Sequence, residues 1–176
     1  MNLYVMRHGS TCWNEKMIIQ GHSNNRLSAL GKAQVEKVAT KNKNTKFDII
    51  VCSPLMRTVQ TANIMNKYHG VKVVKDARII EIDQGIFSGR RRSSLTSGEE
   101  KTQQLRLKKN GQESLKEIDD RVKRFLDNVK KDYPFENVLV ITHDICAIIL
   151  EYFINHEKIG FDKLTFDNAE LKKFKI

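Results

Sequence analysis

The 176-residue sequence predicts an α/β fold, a three-layer sandwich with a mostly parallel central sheet and helices on both of its faces. Two observations predict this fold. Short runs rich in branched apolar residues alternate along the chain with longer amphipathic segments, which is the order of strands and helices in a parallel sheet. Neither an internal repeat nor a linker rich in Pro, Gly or Ser divides the chain. We therefore predict one domain over residues 1–176.

The predicted strands are the short apolar runs. LYVM (3–6), DIIVC (48–52) and NVLVIT (137–142) are rich in branched apolar residues, whereas KVV (72–74) is a weaker run. Continuous apolar runs of this length are typical of parallel strands that are buried on both faces. These runs therefore form the predicted centre of the sheet.

Two predicted helices carry recognisable end signals. The first begins after Ser28, a residue type that caps helix N-termini, and extends to about Lys43. The second has Pro54 as its first helical residue and extends to about Tyr68, with Gly70 beyond its end. Each helix would carry the chain across a face of the sheet between two strands.

Two further helices are predicted on either side of the last apolar strand. The segment 113–133 is amphipathic and ends before Pro134, and its apolar face carries Leu115, Ile118, Val122, Phe125, Leu126 and Val129. The segment after His143, ICAIILEYF, is apolar nearly all round, so we expect this helix to be buried.

Chemically useful side chains follow the predicted strands at one edge of the sheet. Arg7 and His8 come after the first strand, and Arg57 lies in the first turn of the helix after the second. Glu81 and His143 follow the remaining two strands. Taken singly, each has a structural explanation as a capping or surface residue. Because ligands of such sheets bind beyond the carboxyl ends of the strands, their joint placement predicts a site.

This set of side chains predicts phosphoryl transfer without a metal. Arginine forks match phosphate oxygens, and helix N-termini add backbone donors. A histidine flanked by cations resists protonation and can act as a nucleophile, while a carboxylic acid can protonate the leaving oxygen. The alternative is a metal site that uses His8, His143 and Asp144. Two nearby arginines and the lack of an HxxxH or CxxC pair disfavour it.

Charge and cysteine usage limit the class of protein. The formal net charge of +10 fits either a polyanionic partner or a Lys-rich solvated surface. Cys12, Cys52 and Cys146 have no paired spacing and fit the reduced thiols of a cytosolic chain. With no signal region and no apolar stretch of bilayer length, we expect a cytoplasmic protein without a membrane partner. The sequence does not indicate an oligomeric state.

Segments in order along nearly the whole chain resemble the motifs of one protein family. RHGSTCWN (7–14) resembles RHG(E/Q)TxxN, and CSPLMRTVQTA (52–62) is similar to SSPLxRAxQTA. The other matching segments are IQG (19–21), LSALGKAQ (27–34), EIDQG (81–85), GQES (111–114), VLVITH (138–143) and FDNAEL (166–171), the last as a closing edge strand. The family is the histidine phosphatase superfamily, also called phosphoglycerate mutase-like.

The resemblance implies a covalent phosphohistidine mechanism that needs no cofactor. His8 would be the nucleophile, and Arg7, Arg57 and His143 would bind the transferred phosphoryl group. Glu81 would protonate the leaving group and then activate water.

The resemblance also implies a second group of residues that bind the substrate. Asn14 would donate to the phosphate, and Gln20 and Gly21 would line the entrance. Ser10 replaces the usual Glu or Gln, and its hydroxyl would face the substrate. Asp144 stands where Gly is common, so we expect its carboxylate to point away from phosphate or to bind a cationic part of the substrate.

The length of the predicted cap, about 88–109, bears on the reaction. Related mutases carry longer insertions that exclude water, so this short cap over the strand edge favours hydrolysis of a small phosphorylated metabolite. A phosphoglycerate mutase and a catalytically silent phosphate-binding module stay as alternatives. A nucleic-acid binder would need Arg90–Arg92, Lys108 and Lys109 to form a stripe with aromatic residues, and only Phe87 is nearby. The arginine run itself is either a solvated loop or a cationic rim.

Overall fold

A computed structural model describes residues 1–105, 110–155 and 163–176, and it contains the predicted α/β sandwich. The sheet has the strand order β3-β2-β4-β1-β5, in which β1 to β4 are parallel and β5 runs antiparallel to β1. The strands are β1 Asn2–Arg7, β2 Ile49–Cys52, β3 Lys72–Lys75, β4 Asn137–Thr142 and β5 Leu171–Lys175. The four predicted strands are therefore confirmed.

Helices cover both faces of this sheet. They are α1 Cys12–Glu15, α2 Ala29–Lys41, α3 Met56–Met65, α4 Ser97–Leu105, α5 Leu115–Asp132 and α6 Asp144–Ile154. Because successive strand side chains point to opposite faces, Leu3 and Val5 join one core with α5 and α6, while Tyr4 and Met6 join the other with α2 and α3. The two cores pack against opposite faces of the central strands, and the carboxyl ends of these strands lie at one edge of the sheet.

The predicted helix ends are correct in part. Ser28 caps α2 as predicted, since its side chain accepts from the Gly31 N–H. Pro54 is not the first helical residue, because Leu55 is the N-cap of α3. A separate 3₁₀ turn, Asn66–Tyr68, follows α3.

Two further boundaries differ from the sequence prediction. Leu115 is 45% exposed because it is the first residue of α5, directly after the N-cap residue Ser114. It therefore lies before the buried face of the helix begins. The motif at 166–171 is not the edge strand, since β5 begins only at Leu171. Asn168 instead donates from its side chain to the His8 carbonyl, as does the Ala169 N–H from the backbone. The motif therefore fixes the main chain directly after β1 through these hydrogen bonds.

The structure adds a helix inside the predicted cap. Helix α4 has few apolar residues, but the Thr96 hydroxyl accepts from the Glu99 N–H and the Glu99 carboxylate accepts from the Thr96 N–H. This reciprocal capping stabilises the start of helix α4, although the helix has no apolar face that packs against the core. The end of the cap, 106–109, lies outside the described residues. Within the described chain, none of the helices combines the length and the apolar composition of a membrane span.

Candidate active site

The two histidines predicted at strand ends lie side by side around one arginine. The ring centroids of His8 and His143 are 5.2 Å apart, and both residues are buried. The Nε–H of Arg57 donates to His8 Nε2 at 3.2 Å and to His143 Nδ1 at 3.1 Å. The ends of β1 and β4 and the first turn of α3 thus converge on one point, as predicted from the sequence.

Arg57 is fixed at this point by its own hydrogen bonds. Its guanidinium donates through Nη1 to the Ser23 carbonyl at 2.7 Å and through Nη2 to the Gly21 carbonyl at 2.9 Å. Burial lowers the pKa of Arg57 to about 10, and the charge of Glu81 acts in the opposite direction. Because this pKa lies well above 7, the side chain stays charged at neutral pH. A permanent positive charge therefore lies in a buried position between the imidazoles.

The hydrogen bonds of His8 select one tautomer. Its Nδ1 lies 2.7 Å from the Gly9 carbonyl oxygen, which can only accept, so Nδ1 carries the proton. Nε2 is then the atom with a free electron pair, and it accepts from Arg57. Burial, and next the charge of Arg57, lower the pKa of His8 well below its usual value. At neutral pH, His8 is an uncharged imidazole with a nucleophilic nitrogen facing a cation.

His143 is held in the complementary way. Its Nδ1 accepts from Arg57, so Nε2 carries the proton and donates to the Ser53 hydroxyl at 2.7 Å. Burial, followed by the charge of Arg57, also lowers the pKa of His143. The lone pairs that a metal ion would need on both rings are thus directed at a guanidinium, which is not the arrangement of a metal site.

Glu81 has the properties of a proton donor. The residue is 9% exposed, and its Oε1 accepts from the Ile82 N–H at 2.9 Å. Burial raises the pKa of Glu81. The charge of Arg57 and the hydrogen bond from the Ile82 N–H act in the opposite direction, but the net shift is upward. A carboxyl group with a raised pKa is favoured in its protonated form, which is the form that a general acid requires.

Arg7 lies beside these groups and has one donor without a partner among the described residues. Its Nη1 donates to the Phe166 carbonyl at 2.5 Å and lies 3.1 Å from Asp144 Oδ1. Its Nε is buried, and no group of the described chain accepts from it. Because a buried donor without a partner is unfavourable, an anion that reaches this position gains a hydrogen bond.

Asp144 belongs to the wall of the cavity and pairs with Arg7. Burial raises its pKa, while the charge of Arg7 acts in the opposite direction. The attraction of Arg7 explains the position of this carboxylate. Whether it faces away from phosphate or binds a cationic part of the substrate stays a prediction.

A cavity of about 270 Å³ joins most of these groups, although the fully buried His143 is not part of its lining. Arg7, His8, Arg57 and Glu81 line it together with the predicted binding residues Asn14, Gln20, Gly21 and Asp144. Asn14 uses its Oδ1 to accept from Thr11, so the group that it can offer a ligand is its amide donor.

Ser10 is separate from this lining. The residue is buried beside helix α2, where its N–H donates to Gln34 and its carbonyl accepts from the Ser28 N–H. The neighbouring Gly9 has no room for a side chain, since a Cβ would lie 2.6 Å from the Gly31 carbonyl oxygen. In this structure Gly9 and Ser10 pack the site loop against α2, and a contact of the Ser10 hydroxyl with substrate stays a prediction.

Several lining residues were not predicted as site residues. Trp13, Met17, Gln84 and Ile145 line the cavity. Trp13 and Met17 had a usable signal, since both closely follow the RHG motif in sequence. Gln84 accepts from the Gln103 amide of α4, a contact that no local pattern indicates.

The arginine run of the cap divides between two roles. Arg92 is exposed and lines the cavity. Arg90 instead pairs with Glu99 at 2.6 Å at the start of α4. The run is therefore neither uniformly solvated nor uniformly a rim, because Arg90 supports the cap and Arg92 faces the site.

The sequence model of the Histidine phosphatase superfamily (branch 1) matches residues 3–176, so the chain belongs to this superfamily.

Individual relatives carry different names. The chain is 33% identical over 151 residues to the probable phosphoglycerate mutase GpmB of Escherichia coli O1:K1, a match that covers 82% of this chain and 70% of the relative. The alpha-ribazole phosphatase of Shigella flexneri has the same fold, with a TM-score of 0.88, 22% identity and coverage of 100% of this chain and 91% of that one. A mycobacterial glucosyl-3-phosphoglycerate phosphatase, solved with VO3, gives a TM-score of 0.82, 22% identity and coverage of 98% and 90%.

Proposed function

We propose that this protein hydrolyses the phosphomonoester of a small metabolite through a phosphohistidine at His8, without a metal. The observation that carries the proposal is the state of His8, a buried neutral imidazole whose Nε2 electron pair faces the charged Arg57. Glu81, an acid with a raised pKa, lines the same cavity. Nucleophile, charge stabilisation and proton donor are thus present together.

The first chemical step transfers the phosphoryl group to the enzyme. Nε2 of His8 attacks phosphorus, the bond from phosphorus to the ester oxygen breaks, and Glu81 gives its proton to that oxygen so that an alcohol leaves. The unpartnered Nε–H of Arg7 and the charge of Arg57 stabilise the negative oxygens during this transfer.

The second step returns the enzyme to its starting state. Water attacks phosphorus of the phosphohistidine, the bond from nitrogen to phosphorus breaks, and the Glu81 carboxylate accepts the proton of the water. Phosphate leaves, and His8 regains its free electron pair while Glu81 regains its proton.

Phosphate binding changes the role of His143. In the unliganded site its Nδ1 accepts from Arg57, and in that form it cannot donate to a phosphoryl oxygen. The negative charge of a phosphate beside the ring favours the protonated imidazolium, in which Nδ1 also donates. His143 therefore acts as a phosphate ligand after it takes up a proton.

Hydrolysis is proposed over the mutase reaction because the segment between Glu81 and Ser114 is short and Arg91 to Ser94 within it are exposed. Phosphatases are also among the proteins that share the fold, although the relative from E. coli carries a mutase name. The cytosolic location stays part of the proposal, in keeping with the free thiols of Cys12, Cys52 and Cys146.

The test is a screen of phosphate release across a panel of phosphorylated sugars, amino acids, glycerates and cofactor precursors, with EDTA present throughout. The proposal predicts release from at least one class at an undiminished rate in EDTA. Interconversion of 2- and 3-phosphoglycerate without phosphate release would instead establish the mutase reaction. Activity that needs an added divalent ion would contradict the metal-independent mechanism.

A further inference from the structure

The segment that carries Glu81 is held by side chains from other parts of the fold. Residues 78–81 form no strand, so their carbonyl groups lack the partners that a sheet supplies. Each of these four consecutive carbonyls nevertheless accepts from a side chain outside the segment. The donors come from α5, β4, α6 and the loop that follows α1.

Arg121 of α5 binds both ends of this segment. Its Nη1 donates to the Arg78 carbonyl at 2.8 Å, and its Nη2 donates to the Glu81 carbonyl at 3.1 Å. Glu113 accepts from the same guanidinium through both carboxylate oxygens, at 2.6 and 2.8 Å. A planar guanidinium held by a bidentate partner has little freedom, so it fixes the distance between the two carbonyls.

The middle of the segment is bound from β4 and α6. The Thr142 hydroxyl donates to the Ile79 carbonyl at 2.7 Å, and the Cys146 thiol donates to the Ile80 carbonyl at 2.8 Å. Burial raises the pKa of the Cys146 thiol to about 12, so the thiol keeps the proton that it donates. Thr142 is the last residue of β4 and Cys146 lies in the first turn of α6, the two elements between which His143 is placed.

The carbonyl of Glu81 itself receives a second donor. His22 lies with its Nε2 2.7 Å from this oxygen, and its side chain is 40% exposed. On the next peptide, the Ile82 N–H donates to the Glu81 carboxylate. The main chain on both sides of Glu81 is therefore fixed, and so is the Cα atom from which its side chain extends.

We propose that Arg121 and Cys146 are positioning residues that hold Glu81 at the distance needed for proton transfer. The proposal rests on the proposed function, in which Glu81 is the general acid. Neither residue lines the cavity, and both donate to the main chain of the segment that carries Glu81, so each acts through Glu81. Misplacement of a reacting group by about 1 Å can lower a rate on the order of a hundredfold, which sets the expected size of the effect.

The main test compares Cys146→Ala with Cys146→Ser. Alanine removes the donor to Ile80, whereas the serine hydroxyl can still donate at this position. The rates are measured on propyl phosphate, a poor leaving group that needs the acid, and on nitrophenyl phosphate, which needs it little. We expect Cys146→Ala to lower kcat on propyl phosphate clearly more than on nitrophenyl phosphate, and Cys146→Ser to restore it. Equal losses on both substrates, or no rescue by serine, would overturn the role of Cys146.

Arg121 is tested with two variants because its removal leaves the Glu113 carboxylate without its partner. The changes are Arg121→Met alone and Arg121→Met with Glu113→Gln, and Arg124→Met, an exposed arginine of the same helix, is the control. We expect the two Arg121 variants to lose roughly a hundredfold in kcat on propyl phosphate and far less on nitrophenyl phosphate. Arg124→Met leaves both rates at the wild-type value.

A double-mutant cycle separates this proposal from the function on which it depends. In a Glu81→Gln background the positioning changes should have no further effect on kcat, because the group that they position is absent. Independent, multiplicative losses would refute positioning while leaving the function intact. If Glu81→Gln alone shows no dependence on the leaving group, the assignment of the acid fails instead.

A crystal structure of Cys146→Ala gives an answer that needs no activity. The proposal predicts that the Glu81 carboxyl moves or becomes disordered while His8 and Arg57 keep their places. A Glu81 carboxyl in its wild-type position would contradict the proposal even if the kinetics changed.

Discussion

At the scale of single residues, the proposed chemistry needs a neutral His8 and a protonated Glu81. Both are buried, and burial disfavours the charged form of each, so it lowers the pKa of the imidazole and raises the pKa of the carboxyl. The same physical effect thus favours the forms that the proposed nucleophile and the proposed acid need. That His8, Arg57 and His143 lie together was predictable from the strand ends, whereas the tautomer of His8 depends on the Gly9 carbonyl and needed the structure.

Replacing the acid tests its role. Glu81→Gln keeps the shape of the side chain but cannot give a proton, so we expect kcat to fall by about 10²–10⁴-fold on alkyl phosphates. The fall should be much smaller on nitrophenyl phosphate, whose leaving group needs little protonation. Steady-state rates on both substrates check this, and equal losses would show that Glu81 has another task.

The pH dependence follows from the directions of the two pKa shifts. His8 must be neutral, so kcat/KM should rise as pH increases through its lowered pKa, below 6.5. Glu81 must be protonated, so kcat/KM should fall as pH increases through its raised pKa, above 4.5. The profile is then bell-shaped for a substrate that needs the acid. In Glu81→Gln the alkaline limb should be lost, and its persistence would assign that limb to another group.

At the scale of elements, the central strands and the long helices were predictable because apolar composition decides them. The short helix α1 and the cap helix α4 were not, since neither has an apolar stripe and both depend on capping. The edge strand β5 was misplaced because the motif beside it has a different task, donating to the His8 carbonyl. Local patterns thus predict elements that bury apolar surface better than elements held by polar contacts.

The cap gives a prediction about substrate capture. Arg92 faces the cavity and Arg90 pairs with Glu99, so the two arginines should behave differently. Arg92→Gln should lower kcat/KM more for substrates with a second negative group than for nitrophenyl phosphate, and should flatten the dependence on salt. Arg124→Gln, the same change of charge away from the cavity, serves as the control.

An equal effect of Arg92→Gln on both kinds of substrate would show that the side chain acts on the common phosphate. No effect at low salt would make Arg92 a solvated surface residue. Rates at several ionic strengths separate these outcomes.

At the scale of the whole molecule, two cores on opposite faces of one sheet fix the relative positions of the strand ends. Side chains far apart in sequence, such as His8 and His143, therefore meet at one edge of the sheet. The sequence could predict that they share an edge, because parallel strands have a common direction. It could not predict that Asp144 pairs with Arg7 or that Arg121 supports Glu81, since these contacts depend on how loops and helices pack.

The central claim is that turnover proceeds through a phosphoryl group on His8, and trapping this intermediate tests it most directly. Wild type is mixed with nitrophenyl phosphate, denatured within one turnover, and mapped by mass spectrometry under alkaline conditions, which preserve phosphohistidine. The account predicts one added phosphoryl group, on His8, that is lost in acid, and neither this group nor turnover in a folded His8→Gln variant. A phosphoryl group on another residue, or turnover that survives in His8→Gln, would contradict the account.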